Sequence, residues 1–363
     1  MAASASALAS LGATPPGAPI SGGTGTSGTG ASAFGRGVGS MMYLRNETNI
    51  VAEELSRRLG AELSLEVDGE EDAGGDPADI IVTDFEEAKL RIEVPEDAAN
   101  LVRVSLKLPA GVFAELEDKL GVSARLQAVY GAMLAAPLDG ADVTVVVDRR
   151  ALPAPAHDVV KSVANLRRHV LSWPYLRLMR AVVEGRGATE KPFVLRMSPR
   201  EPAFLLARAD RVVVIFHLVF EEATDRAIAR VIAQELTEAN RQVNNAPPCA
   251  WSEREVPMEL KGGAFPAAAV PRPADDEQSI GYITFSVFPG SFKSEAQRDA
   301  IAAHLCLFRA YLTYHLKAAK SYLHARLRAR CETLQRVLNR AIPQDEEKPK
   351  EMKLASGKSF VRR

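Results

Sequence analysis

The stretch 294–340 reads SEAQRDAIAAHLCLFRAYLTYHLKAAKSYLHARLRARCETLQRVLNR, and one spacing runs through it. Ile301, Leu305, Phe308, Leu312, Leu316, Ala319, Leu323, Leu327, Leu334 and Val337 recur mainly at steps of three and four, which puts them on one side of an α-helix. Ser294 and Gln297 have the spacing of a capping box, in which hydroxyl and amide satisfy two orphan N–H groups where a helix starts. Pro343 disfavours helix at the residue before it. At ~1.5 Å per residue such a helix is roughly 70 Å long, longer than a small domain is wide. Much of its stripe must therefore lie on something outside its own unit, and a partner helix is the obvious occupant.

The charges on the same helix point to a second partner. No Asp or Glu occurs from Ala300 to Cys331, while Arg309, Lys317, Lys320, Arg326, Arg328 and Arg330 are all basic. Lys317, Lys320, His324 and Arg328 form a ridge beside the apolar stripe, and Arg336 and Arg340 complement the helix dipole near its end. A merely solvated face usually mixes signs, so the missing acids point to an acidic partner. Exposed pairs are worth only ~0–1 kcal/mol each, so several must act together and binding must weaken with salt.

Upstream the chain repeats an order of elements. Asn46 to Leu59 carries a helical stripe closed by Gly60, followed by strand-like runs at Leu63 to Val67, Asp79 to Thr83, Lys89 to Val94 and Leu101 to Leu108. The acidic loop with Glu70, Glu71, Asp72 and Asp76 lacks EF-hand spacing and reads as a solvated hairpin loop. A helical stretch through Phe113 to Tyr130, broken near Gly121, leads to the β run Val143 to Val147. After a Pro-rich joint at Leu152 to Pro155 comes His157 to Glu184, helical but kinked or split by Pro174. Strands at Phe193 to Met197, Ala203 to Arg208 and Arg211 to Phe220 follow. A helix Thr224 to Arg241 then presents Ile228, Val231, Ile232 and Leu236 on one face, before strands at Cys249 to Arg254 and Ile280 to Phe288. The fold class is thus α+β: two similar units, each an antiparallel sheet covered by helices on one face, plus a long C-terminal α-helix. The expected boundaries are an Ala/Gly/Ser/Thr-rich disordered leader at 1–40, a first domain at 41–152, a second at 153–290, the basic amphipathic helix at 291–342 and a flexible polar tail at 343–363.

Composition agrees with this organisation. The 363 residues are 47% hydrophobic, enough for a sizeable core, and their 45 basic and 46 acidic residues nearly cancel. No apolar run reaches the length of a membrane span. Three distant cysteines, Cys249, Cys306 and Cys331, suit a reducing compartment rather than a disulfide framework. The six histidines form no zinc-ligand pattern, and His217, inside a β run, reads as a core histidine. The glycine-rich run Ser21 to Gly30 lacks the Lys-Ser or Lys-Thr of a P-loop, and neither a G-x-S-x-G elbow nor a dinucleotide fingerprint occurs. The residues invite no enzyme and call for no cofactor. Two readings of the helix stay open: a scaffold bound to protein partners, or an independent polybasic adaptor for acidic lipid or RNA, with Tyr311, Tyr314 and Tyr322 offering rings for bases to stack on.

One further pattern bears on that choice. Gly281-Tyr282-Ile283-Thr284-Phe285, Val287-Phe288-Pro289, Phe308-Arg309-Ala310-Tyr311-Leu312, Val337-Leu338-Asn339-Arg340-Ala341 and Gly357-Lys358-Ser359-Phe360 closely resemble the large scaffold subunit, subunit 2, of the actin-related protein 2/3 complex. Upstream, Trp251-Ser252-Glu253-Arg254-Glu255, Asp210-Arg211-Val212 and Ser105-Leu106-Lys107 extend the resemblance over about 41–363. It implies a structural, actin-filament-binding subunit of the actin-branching complex, located in the cytoplasm at cortical actin and cell projections. Its long helix would pair with that of subunit 4, using Ile301, Leu305, Phe308, Leu312, Leu316, Leu323, Leu327 and Leu334. Carried over by position, Lys317, Lys320, Arg326 and Arg328, with Arg208 and Arg211 as weaker members, would contact the side of the mother filament. Neither nucleic acid nor a metal is implied. Gly290-Ser291 stands where the family tends to carry bases, and the leader before Met41 has no family counterpart.

Overall fold

The computed structural model describes residues 47–60, 77–84, 87–138, 140–243, 246–341, 351–353 and 359–361. The leader at 1–40, the expected strand through Leu63, Leu65 and Val67, and the acidic loop with Glu70, Glu71, Asp72 and Asp76 lie outside the described residues. By internal contacts the chain divides into one compact unit that reaches to Tyr314 and a second from His315 onward.

The first unit contains both sheets, and they share one topology. Helix α1 (Asn49–Leu59) precedes β1 (Ala78–Thr83), β2 (Lys89–Val94) and β3 (Leu101–Lys107). Helices α2 (Val112–Leu120) and α3 (Val122–Tyr130) then lead to β4 (Leu134–Ala135) and β5 (Val143–Asp148). Gly121 separates α2 from α3 at φ 61°, a left-handed conformation that glycine adopts without steric cost. The sheet order is β1-β2-β3-β5-β4, every pairing antiparallel.

The second half repeats this order. Helices α4 (Ala156–Ala164), α5 (Leu166–Leu171) and α6 (Trp173–Val183) precede β6 (Phe193–Ser198), β7 (Glu201–Ala207) and β8 (Val212–Val219). Helix α7 (Ala223–Gln242), β9 (Cys249–Ser252), the short α8 (Met258–Lys261) and β10 (Ser279–Val287) follow, and the sheet order is β6-β7-β8-β10-β9. Pro174 splits the preceding helix as its missing N–H requires: α5 ends at Leu171 and Pro174 sits in the first turn of α6.

The sheets differ in how they are covered. In β2, Leu90, Ile92 and Val94 are buried while Lys89, Arg91 and Glu93 face the other way, the alternation of a one-sided sheet. In β8 all eight residues are buried, so the second sheet departs from one-sided cover. One face meets Leu260 of α8 and Phe265 beyond it, which pack with Phe204, Ile215 and Tyr282. The opposite face carries Phe216, whose ring meets Phe308 of the C-terminal helix. His217 takes the structural place expected of it: Nδ1 donates to the Arg200 carbonyl at 2.8 Å and Nε2 accepts from Ser279 at 3.0 Å.

Helices tie the two sheets together. Trp173 Nε1 donates to the Leu120 carbonyl at 3.0 Å, and the guanidiniums of Arg125 and Arg180 lie over its ring, 5.8 and 5.4 Å from its centre. Tyr130 donates its hydroxyl hydrogen to the Ser162 carbonyl at 2.9 Å, so His169 Nδ1, 2.8 Å away, is left to donate to the phenolic oxygen. Near the end of the chain, β11 (Glu351–Lys353) and β12 (Ser359–Val361) pair as a short antiparallel ladder.

Candidate functional site

Helix α9 (Glu295–Ala341) is one unbroken helix of 47 residues. The capping box forms as read: Ser294 N–H donates to Gln297 Oε1 at 2.9 Å, and Gln297 N–H to Ser294 Oγ at 3.2 Å. Glu295, in the first turn, accepts from Arg180 of α6 and from Arg298, and the Arg180 hydrogen bond foremost holds its carboxyl below the usual range. Asp299 pairs with Arg168 of α5. Two arginines from neighbouring helices thus pair with the acids at the start of α9.

The next turns dock on the second sheet. The Phe308 ring lies 4.9 Å from Phe216 and 4.9 Å from Phe285, two neighbours on β8 and β10. Arg309 pairs with Glu201 of β7 at 2.6 Å and covers the Phe220 ring at 4.6 Å. Ala302, Ala303, Leu305, Cys306, Ala310, Leu312 and Leu316 are all buried.

Burial divides the stripe read from the sequence into two parts. Of the side chains assigned to a partner helix, Leu305, Leu312 and Leu316 are already buried within the chain, Phe308 packs on the chain's own sheet, and Ile301 is half-buried. The stripe then changes character. Leu323, Leu327 and Leu334 are 45%, 53% and 59% exposed, and Tyr322, Val337 and Leu338 are exposed with them. Leu327 and Leu334 are seven apart, as are Leu323, Arg330 and Val337, which is the seam spacing of paired helices. Leu338 extends this row; its signal was its place one step beyond Val337, which hid it among the polar end residues.

The basic residues divide as well. Lys317 and Arg328 are exposed and Lys320 half-buried, all on one flank of the stripe. Arg326 is nine residues beyond Lys317, so it points roughly 180° away at 3.6 residues per turn. Its guanidinium donates to the Tyr322 hydroxyl at 2.7 Å and lies 5.5 Å from that ring's centre. The four helix residues grouped by position therefore do not form one surface. Arg208 is exposed in the turn between β7 and β8, where its N–H donates to the Arg211 carbonyl at 2.7 Å. Arg211 pairs with Asp210 at 3.3 Å and lies over the Phe288 ring at 5.9 Å.

Little here resembles a reaction centre. A cavity of about 640 Å³ is lined by Glu115, Arg196, Glu201 and Arg309 among others, but these charges pair with one another, Arg196 with Glu115 at 3.5 Å and Arg309 with Glu201. Among the described residues no three His, Cys, Asp or Glu side chains are grouped to hold a metal ion, and no helix is long and apolar enough to cross a membrane.

Comparison with known proteins gives this geometry a setting. The family model described as "Arp2/3 complex, 34 kD subunit p34-Arc" matches residues 104–345. The actin-related protein 2/3 complex subunit 2 of Dictyostelium discoideum is 32% identical over 267 residues, covering 73% of this chain and 85% of that protein. The subunit 2 of Schizosaccharomyces pombe is 30% identical over 305 residues, covering 78% of this chain and 91% of that protein.

Proposed function

The chain belongs to the family of the 34 kD subunit of the Arp2/3 complex, and we propose that its helix α9 serves two partners there. Leu323, Leu327 and Leu334 pack against a long helix of subunit 4, and Lys317, Lys320 and Arg328 rest on the side of a mother actin filament during branched nucleation. The family is one of structural subunits rather than enzymes, in the setting of actin nucleation and the cytoskeleton. We place the chain in the cytoplasm at cortical actin.

One observation carries the reading. The large apolar side chains of a single stripe are buried or half-buried as far as Leu316 and about half exposed from Leu323 onward. A row of exposed leucines at heptad-like spacing needs cover, and a second helix fits that spacing. The basic flank beside it suits an acidic filament surface, through several contacts that are each weak and screened by salt. Arg208, exposed in its turn, is the better of the two secondary contacts, since Arg211 is engaged by Asp210 and Phe288. Arg326, on the opposite flank, faces away from a filament held by Lys317.

Cys331 offers a direct test. It lies between Leu327 and Leu334 and is exposed, whereas Cys306 is buried and burial pushes the Cys249 thiol up to about 12. A thiol-specific crosslinker attached at Cys331 in the assembled complex should capture subunit 4. Capture of other subunits without subunit 4 would overturn the assignment.

A further inference from the structure

On the open face of the first sheet most charged side chains have a partner on a neighbouring strand, and one row does not. Directly opposed residues on one face have Cβ atoms about 4.5–5.5 Å apart, so opposite charges stabilise the ladder and like charges destabilise it. Glu93 on β2 stands opposite Arg103 on β3, and they pair at 3.6 Å. Asp79 on β1 stands opposite Glu93, a second like-charged pair, but Arg91 reaches it at 2.7 Å. In the remaining row Lys89 on β2 stands opposite Lys107 on β3, both exposed. Neither lysine makes an ion pair or hydrogen bond among the described residues. Asp142, just before β5, accepts from the Leu108 N–H at 2.7 Å. Beside this row, on the same face, Ile81 of the edge strand β1 is 62% exposed.

A like-charged row without partners, on a face whose other charges are paired with a neighbouring strand, is the kind of local conflict expected at a functional surface. We propose that Lys89 and Lys107 receive carboxylates from an acidic protein surface, with Ile81 supplying the apolar contact beside them. The patch is flat and has no cradle of backbone N–H groups for a phosphate, so it reads charge and not a bidentate shape. Two ammonium groups are also too few for a membrane surface, which is held by clusters of about four to eight. An exposed large apolar side chain within a charged rim is the make-up of a protein interface. The patch belongs to the first sheet, and its case stands without the filament reading of α9.

Stability and binding should move in opposite directions, which makes the test clean. The measurement is binding of a fluorescent decaglutamate peptide to the assembled complex, in a Lys317/Lys320/Arg328→Ala background that removes the α9 flank. Lys107→Glu creates an ion pair with Lys89, so the thermal midpoint should hold or rise while peptide binding falls about five-fold. Lys89→Glu should do the same. Combining both reversals should abolish binding and lose the stability gain. Binding unchanged in all three variants would overturn the proposal. So would lysine-dependent binding to phosphatidylserine vesicles without any to the peptide, because the patch would then dock a membrane.

Discussion

Arg309 of α9 holds Glu201 of β7 at 2.6 Å while its guanidinium lies 4.6 Å from the centre of the Phe220 ring. Both side chains are mostly buried, so the pair is more than a surface contact, and it fixes the helix to the second sheet. Replacing Arg309 with Ala leaves Glu201 without this partner and should cost about 2 kcal/mol. Denaturant unfolding should show a lower midpoint, with Arg309→Lys recovering only part of it because the planar guanidinium is lost from the ring.

The two halves of the stripe should respond differently to the same truncation. Leu312 is buried within the chain, so Leu312→Ala should destabilise the protein by about 2–4 kcal/mol. Leu327 is 53% exposed, so Leu327→Ala should change the stability of the chain alone by no more than about 0.5 kcal/mol. It should instead weaken recovery of the complex. Thermal unfolding of the chain and yield of the complex, measured on both variants, separate the two roles.

The charged flank gives a third expectation. Lys317→Glu, Lys320→Glu and Arg328→Glu together should reduce cosedimentation of the assembled complex with filaments while leaving assembly intact. Arg326→Glu, on the opposite flank, should have much less effect. The wild-type affinity should fall steadily from low salt to about 0.2 M, where the screening length is below 8 Å. An affinity that ignores salt would remove the electrostatic account.

A pH dependence follows from the helix contacts between the two sheets. Burial, aided by the positive charges of Arg168 and Arg125, lowers His169 from 6.5 to about 4. Between those values the unfolded chain binds a proton that the folded chain refuses. Stability is therefore full above about pH 6.5 and declines as pH falls toward 4, by at most about 3 kcal/mol. Urea unfolding at pH 7 and pH 5.5 should show this loss, and His169→Gln should reduce it, leaving the part carried by His217, His304 and His315, which burial also lowers.

Much of this architecture was legible because it rests on local chemistry. Ser294 and Gln297 marked the start of α9 within a residue, Gly121 and Pro174 broke helices where their backbones require it, and alternation located β3. What stayed hidden depended on tertiary context. Strand β4 has two residues, too few to alternate. On α7 the large residues Ile228, Val231, Ile232 and Leu236 promised the buried face, but Asp225, Ala229 and Ala233 lie deepest and Val231 is 58% exposed. Small residues there allow close approach to the sheet, and apolar periodicity gives them little weight. On α9 the same spacing runs through Leu312 and Leu327 alike, and periodicity says which side is apolar without saying what covers it. Grouping Arg326 with Lys317 by position likewise passed over the half turn between them.

The account turns on the exposed half of the stripe. The most direct measurement co-expresses the tagged chain with the other subunits and follows subunit 4 through purification, comparing wild type with Leu323→Asp, Leu327→Asp and Leu334→Asp combined. These side chains are exposed in the chain itself, so the variant should fold with an unchanged thermal midpoint and lose subunit 4. A folded variant that still brings subunit 4 down in full would contradict the account and place the partner on another surface.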